Sequence, residues 1–491
     1  MIRALHRSMR TEAPPWWLWC GAAVLGAACI AVPAGLAFPP WVVLLFPLGL
    51  LGAGAVLESG VLGICIAAFS IAPLGALQAE IGPVTLNFPE VIILCIVGRT
   101  AIVWLRQPGA IPAATPWKTL GLYFLAAGVA LVIGIAAGNG VSASLQDWRQ
   151  FTEFLLLFAV VVMTLREYRQ VVWVLAAYAA GCALIGLHGI LQQYLPIQVP
   201  YMQQLSDEIL HEGTRSRSFY GPTPLGALMV LGMGPAIALA LTPRPRLIRL
   251  GFAGLALLMA AAAVYTKTRA SWIAIALMLV FIFISVPKRP AMLFVSAVAV
   301  AGMLAVLGPI IATRLGTLHV SKAESSLLER IQYYTAAWHI FRAHPVFGLG
   351  FGCYYSTDEI LMNEQYVARS MPDRPGGGSF VEATVHSAYL QMLVKGGLVF
   401  LGAFMAFVAA WLGLVLRERR WRRIDDPEHI LFAGVAGALI GYLFHSGFEN
   451  FFQWPVMAQS FWLLMGISVV LGGRVIRQGR HLSTQATEHK E

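Results

Sequence analysis

A series of apolar stretches, each close to the length that crosses a bilayer, constrains this chain more than any other feature. They fall near residues 17–38, 40–57, 60–77, 88–105, 118–138, 148–165, 170–192, 222–241, 247–265, 270–286, 291–312, 389–415, 430–447 and 455–473. At about 20 residues each they read as about fourteen spans, and the close spacing of the second and third widens the expectation to about 12–14 transmembrane helices. Composition agrees. The chain is 58% hydrophobic and 12% charged, and a soluble domain carries about twice that charged fraction. The expected fold is therefore all-α, a polytopic integral membrane helical bundle. Arg3, Arg7 and Arg10 precede the first apolar run, and no small-residue cleavage site follows it, so that run is expected to stay as a span. No internal repeat or low-complexity linker is apparent; the tail after Gly479 is expected to be disordered.

Basic residues set the expected orientation. With the N-terminus inside and spans alternating, the inside connections hold Arg99, Arg106 and Lys118; Arg166 and Arg169; Arg244, Arg246 and Arg249; Lys288 and Arg289; Arg417, Arg419, Arg420, Arg422 and Arg423; and Arg474, Arg477, Arg480 and Lys490. Short outside loops such as Gly138-Asn139-Gly140 hold none. The positive-inside rule then puts both termini in the cytoplasm. The net charge of +10 reads as this topology signal, and no nucleic-acid partner is inferred. The expected organisation is residues 1–311 as N-terminal spans with an outer loop at 194–221, 312–388 as one large ordered outer loop, 389–473 as C-terminal spans and 474–491 as a cytoplasmic tail. In a bacterium the outer face is periplasmic and the membrane is the inner one.

The large loop is rich in aromatics, including Trp338, Phe341, Phe347, Phe351, Tyr354 and Tyr355, which disordered segments lack. Ser326 and Glu329 form a capping-box pattern. Leu327, Leu328, Ile331, Tyr334, Ala337, Trp338 and Phe341 follow at helical spacing, and Pro345 stops the run, giving an expected helix over 326–344. Of the six cysteines only Cys353 lies in this loop, so no disulfide closes it internally, and no paired Cys/His spacing suggests a metal.

Several outer-face residues carry chemistry. Lys267 and Arg269 sit in a very short turn, Thr266-Lys267-Thr268-Arg269-Ala270-Ser271-Trp272. One reading is an interfacial anchor, with the cations snorkelling and Trp272 at the headgroups; the other is an anion site, because guanidinium forks match phosphate oxygens. Arg215 and Arg217 precede Phe219-Tyr220-Gly221-Pro222, and Arg330 opens the loop helix. His386 lies just before the span starting near Tyr389. A lone histidine there is more often a satisfied interfacial residue, yet imidazole is the default proton acceptor near neutral pH. Glu382 and Glu449 are candidates to orient it, and His445 reads better as packing. Arg149 and Glu153 are spaced to pair on a helix.

These residues together resemble the bacterial O-antigen ligase and O-antigen polymerase superfamily over roughly 200–470. Thr268-Arg269-Ala270-Ser271-Trp272 is similar to its Ser-Arg-Gly-Ala-Trp-like stretch. Arg330 through Trp338 matches an arginine opening a Trp-bearing helix, and Pro345-Val346-Phe347-Gly348-Leu349-Gly350-Phe351-Gly352 matches the Gly-x-Gly-x-Gly-like turn. His386-Ser387-Ala388-Tyr389-Leu390-Gln391 with Gly397 matches the closing element, and Arg215, Phe219 and Pro222 match an upstream one. Ser387 replaces the usual Asn, and Phe400 stands where a second Gly is usual, with Gly402 nearby.

The resemblance implies a metal-independent glycosyltransferase with no cofactor. Its donor would be an undecaprenyl-diphosphate-linked glycan in the lipid bilayer, and its acceptor a lipid A core sugar or a second lipid-linked glycan, as in lipopolysaccharide or exopolysaccharide synthesis. Arg215, Arg217, Arg269 and Arg330 would bind the diphosphate, His386 would be catalytic, and Lys267, Glu382, His445 and Glu449 would support. Polysaccharide chain-length or export proteins are the implied partners. A transporter of glycan or small anions is the rival from another class. Transporters place polar groups at mid-membrane, whereas here polarity concentrates at one face. A non-catalytic assembly factor is the third reading.

Overall fold

The computed structural model describes residues 58–81, 84–106, 115–195, 216, 218–286, 325–353, 385–421 and 426–488. The expected spans 17–38, 40–57 and 291–312 lie outside these residues, as does most of the outer loop 194–221.

The described chain is a polytopic helical membrane protein. Its helices are α1 (Gly60–Leu74), α2 (Phe88–Arg106), α3 (Trp117–Ala136), α4 (Val141–Thr152), α5 (Leu155–Thr164), α6 (Tyr168–Leu191), α7 (Pro222–Leu241), α8 (Arg246–Tyr265), α9 (Arg269–Ser285), α10 (Ser325–Ala343), α11 (Ala388–Trp421), α12 (Pro427–His445) and α13 (Pro455–Glu488). Eight are long and apolar enough to cross a membrane: α2, α3, α6, α7, α8, α11, α12 and α13. The shorter α1 and α9 are apolar too.

Local sequence explains the helix starts. Asn87 and Glu90 cap α2 reciprocally: Glu90 N–H donates to Asn87 Oδ1 at 2.9 Å and Asn87 N–H to Glu90 Oε2 at 2.8 Å. Glu167 and Gln170 do the same for α6. Pro222 and Pro427 occupy first-turn positions of α7 and α12, where the missing N–H costs no bond. Glycines then set the packing. A Cβ at Gly234 of α7 would meet Gly434 O of α12 at 2.4 Å, and one at Gly441 of α12 would meet Ala274 O of α9 at 2.6 Å. Such close backbone approach drives helix association in lipid, where burial of apolar surface supplies little. In consequence α7, α12 and the Pro455–Arg474 part of α13 are almost wholly buried, while α2 and α8 leave most of their surface exposed on the outside of the bundle.

The two ends of the bundle differ. At one end Arg474 pairs with Glu428 at 2.7 Å and donates to the Arg166 carbonyl. Arg99 reaches the Glu58 carbonyl at 3.4 Å, and buried His429 bonds Glu418 and, at 2.9 Å, Ser285 O. These residues belong to the connections whose basic content predicts the inside face. The starts of α2, α9 and α11 and the end of α12 define the opposite end, which holds His386.

Five features differ from or add to the sequence reading. A two-stranded antiparallel hairpin, β1 (Gln78–Ile81) with β2 (Val84–Asn87), registers Gln78 with Asn87 and Ile81 with Val84 between α1 and α2. The span expected at 148–165 is two helices, α4 and α5, broken at Glu153-Phe154. Helix α13 runs through Gly479 to Glu488 where a disordered tail was expected; a preceding span supplies the costly nucleus and no proline stops propagation. Gly402 would meet nothing within 4 Å and so gives no close packing; Phe400 is buried instead, stacked on Tyr123 at 5.2 Å and edge-on to Phe351 at 5.5 Å. Lastly, charge is not confined to the ends: Lys395 and Asp147 pair inside the bundle at 2.6 Å.

Helix α10 begins at Ser325 and ends before Pro345, as its sequence predicts to within a residue. Its buried positions are Ala336, Ala337 and Ile340, which pack with Leu349, Val385 and Val394. Trp338 is 56% exposed and therefore does not belong to the packed face the spacing assigned it. It sits against Phe341, close in sequence to exposed Val346 and Phe347.

Candidate active site at the His386 end

His386 stands in the turn that opens α11, and its backbone is fixed by neighbours. The Ser387 hydroxyl accepts from Leu390 N–H at 3.4 Å, the Gln391 side-chain oxygen accepts from Val385 N–H at 3.3 Å, and Ala388 N–H donates to Ser446 O at 2.8 Å. This last bond fastens the start of α11 to the end of α12.

The ring is held as well. His386 Nδ1 lies 3.0 Å from Glu449 Oε1, and the same oxygen accepts from Asn450 N–H at 3.2 Å. Tyr333 packs on the imidazole with ring centroids 5.3 Å apart. The Tyr334 hydroxyl donates to the His386 carbonyl at 3.2 Å. The histidine side chain is 34% exposed and Glu449 13%. A carboxylate that accepts from Nδ1–H fixes the tautomer and leaves the Nε2 lone pair outward, the arrangement of a proton acceptor.

Arg330 lies three and four residues before Tyr333 and Tyr334, on the same side of α10. Burial raises the Tyr334 phenol above the ordinary tyrosine value; Arg330 pulls it down and Glu449 pushes it up. Arg330 is also within electrostatic reach of His445. His445 is fully buried, edge-on to Phe451 at 4.8 Å, and neither ring nitrogen has a hydrogen-bond partner among the described residues.

The turn between α8 and α9 holds Lys267 and Arg269. Lys267 has φ +52°, a conformation uncommon for a side chain of its size. Thr266 donates to Ala263 O at 2.7 Å, and the Trp272 indole N–H donates to the same carbonyl at 3.3 Å. Ser216 N–H donates to Tyr265 O at 2.9 Å, which brings the second outer segment to this turn. Helix α9 runs beside α12, with Met278 facing Gly437 and Ala274 facing Gly441. One helical turn further, this antiparallel register sets Arg269-Ala270 level with His445.

The structure thus gathers His386, Glu449, Tyr334, Arg330 and His445 into one cluster and puts Lys267 and Arg269 at the same end on a neighbouring helix. Arg215, Arg217 and Glu382 lie outside the described residues. Among the described residues no group of three or more metal-binding side chains occurs.

Sequence reasoning missed two things here. The aromatic support from Tyr333 and Tyr334 was within reach, since both follow Arg330 at helical spacing. The pair Asp147–Lys395 was harder, because its partners are 248 positions apart. The expected Arg149–Glu153 pair forms at 2.5 Å, and Arg149 also reaches buried Glu90 at 3.2 Å.

Fold and site define a class: a multi-pass helical membrane protein with a His–Glu pair at one end of the bundle and Arg330 and Arg269 at that same end. Residues 254–405 match the family model described as O-antigen ligase, a stretch that covers most of α8, all of α9 and α10, His386 and the first half of α11. The match covers under a third of the chain and supports a relationship to the O-antigen ligase/polymerase family, and with it a membrane glycan ligase or polymerase in general. Comparison with curated proteins finds no match. Glu449 and His445 lie outside the matched stretch.

Proposed function

We propose that this protein transfers a glycan from undecaprenyl diphosphate to an acceptor hydroxyl on the periplasmic face of a bacterial inner membrane, in the manner of an O-antigen ligase. The observation that carries the reading is the His386–Glu449 pair at 3.0 Å, at the end opposite the basic connections, with Arg330 within electrostatic reach of the neighbouring Tyr334 and His445. Glu449 orients the imidazole. His386 Nε2 takes the proton from the acceptor hydroxyl as its oxygen attacks the anomeric carbon. The bond from that carbon to the diphosphate oxygen breaks, and its electron pair leaves with undecaprenyl diphosphate. Arg330 and Arg269, with Arg215 and Arg217, meet the charge that grows on the leaving group. Because the donor is already activated by its diphosphate, the reaction needs neither ATP nor a metal to proceed.

The expected sidedness has both termini in the cytoplasm and residues 312–388 as a periplasmic unit that covers the site and selects the acceptor. A test is glycan transfer by purified protein in proteoliposomes, supplied with lipid-diphosphate-linked oligosaccharide and two acceptors. Glycan on lipid A core supports ligation. Lengthened lipid-linked glycan would make it a polymerase with the same donor chemistry. Translocation of labelled glycan without transfer would replace the reading with a transporter.

A further inference from the structure

Helix α11 is interrupted two turns after it begins. Gly397 has φ +62°, and the segment that follows α10, Pro345–Cys353, fills the break. Leu398 N–H donates to Pro345 O at 3.0 Å, Val399 N–H to Val346 O at 3.1 Å, and Leu349 N–H to Val394 O at 2.9 Å. The same segment is bonded on its other side to the α3–α4 hairpin. Phe351 N–H donates to Ala130 O at 2.9 Å, Asn139 Nδ2 donates to Leu349 O and Phe351 O at 3.0 Å each, and Ser144 Oγ donates to Phe351 O at 2.9 Å. Its glycines permit this. A Cβ at Gly350 would stand 2.2 Å from Gly134 N, and one at Gly352 would stand 2.6 Å from Ser144 N.

At the centre is one carboxylate oxygen. Asp147 Oδ2 on α4 accepts from Gly352 N–H at 2.6 Å and from Lys395 Nζ on α11 at 2.6 Å. Lys395 is 2% exposed and Asp147 9%. A desolvated ion pair is by itself weak evidence for stability, and ionisable residues inside a membrane bundle are expensive to keep. This pair does more than neutralise itself, because its acceptor also holds the loop. That loop continues α10, the helix that brings Arg330, Tyr333 and Tyr334 to His386.

We propose that Asp147 and Lys395 are positioning residues for His386: through Asp147 Oδ2 they lock the Pro345–Cys353 segment into the break of α11 and so fix α10 against the histidine. The effect on catalysis rests on the glycan-transfer reading; the lock itself does not.

Two paired variants separate the lock from simple charge neutralisation. Asp147→Lys/Lys395→Asp keeps an ion pair but moves the carboxylate onto α11, so Gly352 N–H loses its acceptor. Asp147→Asn/Lys395→Met removes both charges but keeps an amide oxygen for that N–H. Hydrogen–deuterium exchange in nanodiscs, followed over residues 330–353, reads the lock without any substrate. The charge swap is expected to exchange at least about tenfold faster there than wild type, as loss of a bond to a charged acceptor dictates, and the neutral pair is expected to stay protected. Wild-type protection in the charge swap, or lost protection in the neutral pair alone, would overturn the proposal. Gly352→Ala is the second route should the swap fail to fold. It leaves the ion pair intact and must also speed exchange, and unchanged exchange would overturn the lock. In transfer assays Gly352→Ala should lower kcat at least about tenfold while the donor KM stays within about twofold; faster exchange with an unchanged kcat would overturn the positioning role.

Discussion

Replacing Glu449 by glutamine tests the histidine pair with almost no change in volume. In the native site Glu449 Oε1 receives His386 Nδ1 at 3.0 Å and Asn450 N–H at 3.2 Å. Glutamine keeps one acceptor oxygen but loses the charge, and its NH₂ has to turn away from both donors. A hydrogen bond to a charged group contributes about 1.5–3 kcal/mol. His386 is 34% exposed and Glu449 13%, so solvent screening puts the loss at the lower end, about 1.5–2 kcal/mol. If that interaction is made in the transition state, as imidazolium forms, the rate should fall about 10- to 30-fold. Single-turnover transfer in proteoliposomes at saturating donor isolates this step, and the donor KM should hardly move, since Glu449 orients the base and does not bind the diphosphate. The cycle with His386→Ala is the sharper check. Once the imidazole is gone the glutamine should cost nothing further. A wild-type rate in Glu449→Gln, or a full additional loss in the double variant, would refute the assignment.

Other consequences can be measured separately. Arg269→Ala and Arg330→Ala should impair transfer without loss of membrane insertion, and full activity in either would remove that arginine from the leaving-group site. Tyr334→Phe removes the 3.2 Å bond to His386 O and should cost about 1 kcal/mol. Because burial raises the Tyr334 phenol, its contribution to stability is full below the unfolded tyrosine value near 10 and is lost as pH rises through the higher folded value. The wild-type minus Tyr334→Phe difference in phenolate absorbance should therefore appear only above pH about 10. At the basic end, His429→Ala leaves buried Glu418 without its imidazole partner and should destabilise by about 1–3 kcal/mol, seen as a lower Tm in detergent, with the His386 cluster unaltered in the folded fraction.

Much of the architecture was legible because lipid imposes one simple rule, that backbone groups be satisfied within the segment. Long apolar runs such as 222–241 and 430–447 read directly as α7 and α12. Helix α10 was legible from its spacing and from Pro345. What sequence did not reveal is how chain segments meet. The Gly348, Gly350 and Gly352 pattern was visible, but nothing local says that Gly348 lies against Val394 and Gly397, Gly350 against Gly134 and Gly352 against Ser144. The break of α11 at Gly397 sits inside a run that reads as one continuous span, and the acceptor for Lys395 is on a helix far earlier in the chain. Trp338 fitted a helical stripe, yet the packed face is made by the smaller Ala336 and Ala337, which allow α10 to approach α11. At the site, His386 was recognisable by its surrounding motif. Glu449 was a candidate on chemistry alone, and only the fold separates it from the other carboxylates by setting it at Nδ1.

The central claim is that the His386 end of the bundle carries out glycan transfer. The most direct test is mass-spectrometric detection of the product in proteoliposomes holding lipid-diphosphate-linked oligosaccharide and acceptor, wild type beside His386→Ala, with insertion of both verified. The account predicts product and free undecaprenyl diphosphate in equal amounts from wild type and a loss of about 10²- to 10⁴-fold in the variant. Equal transfer by the two proteins would contradict it.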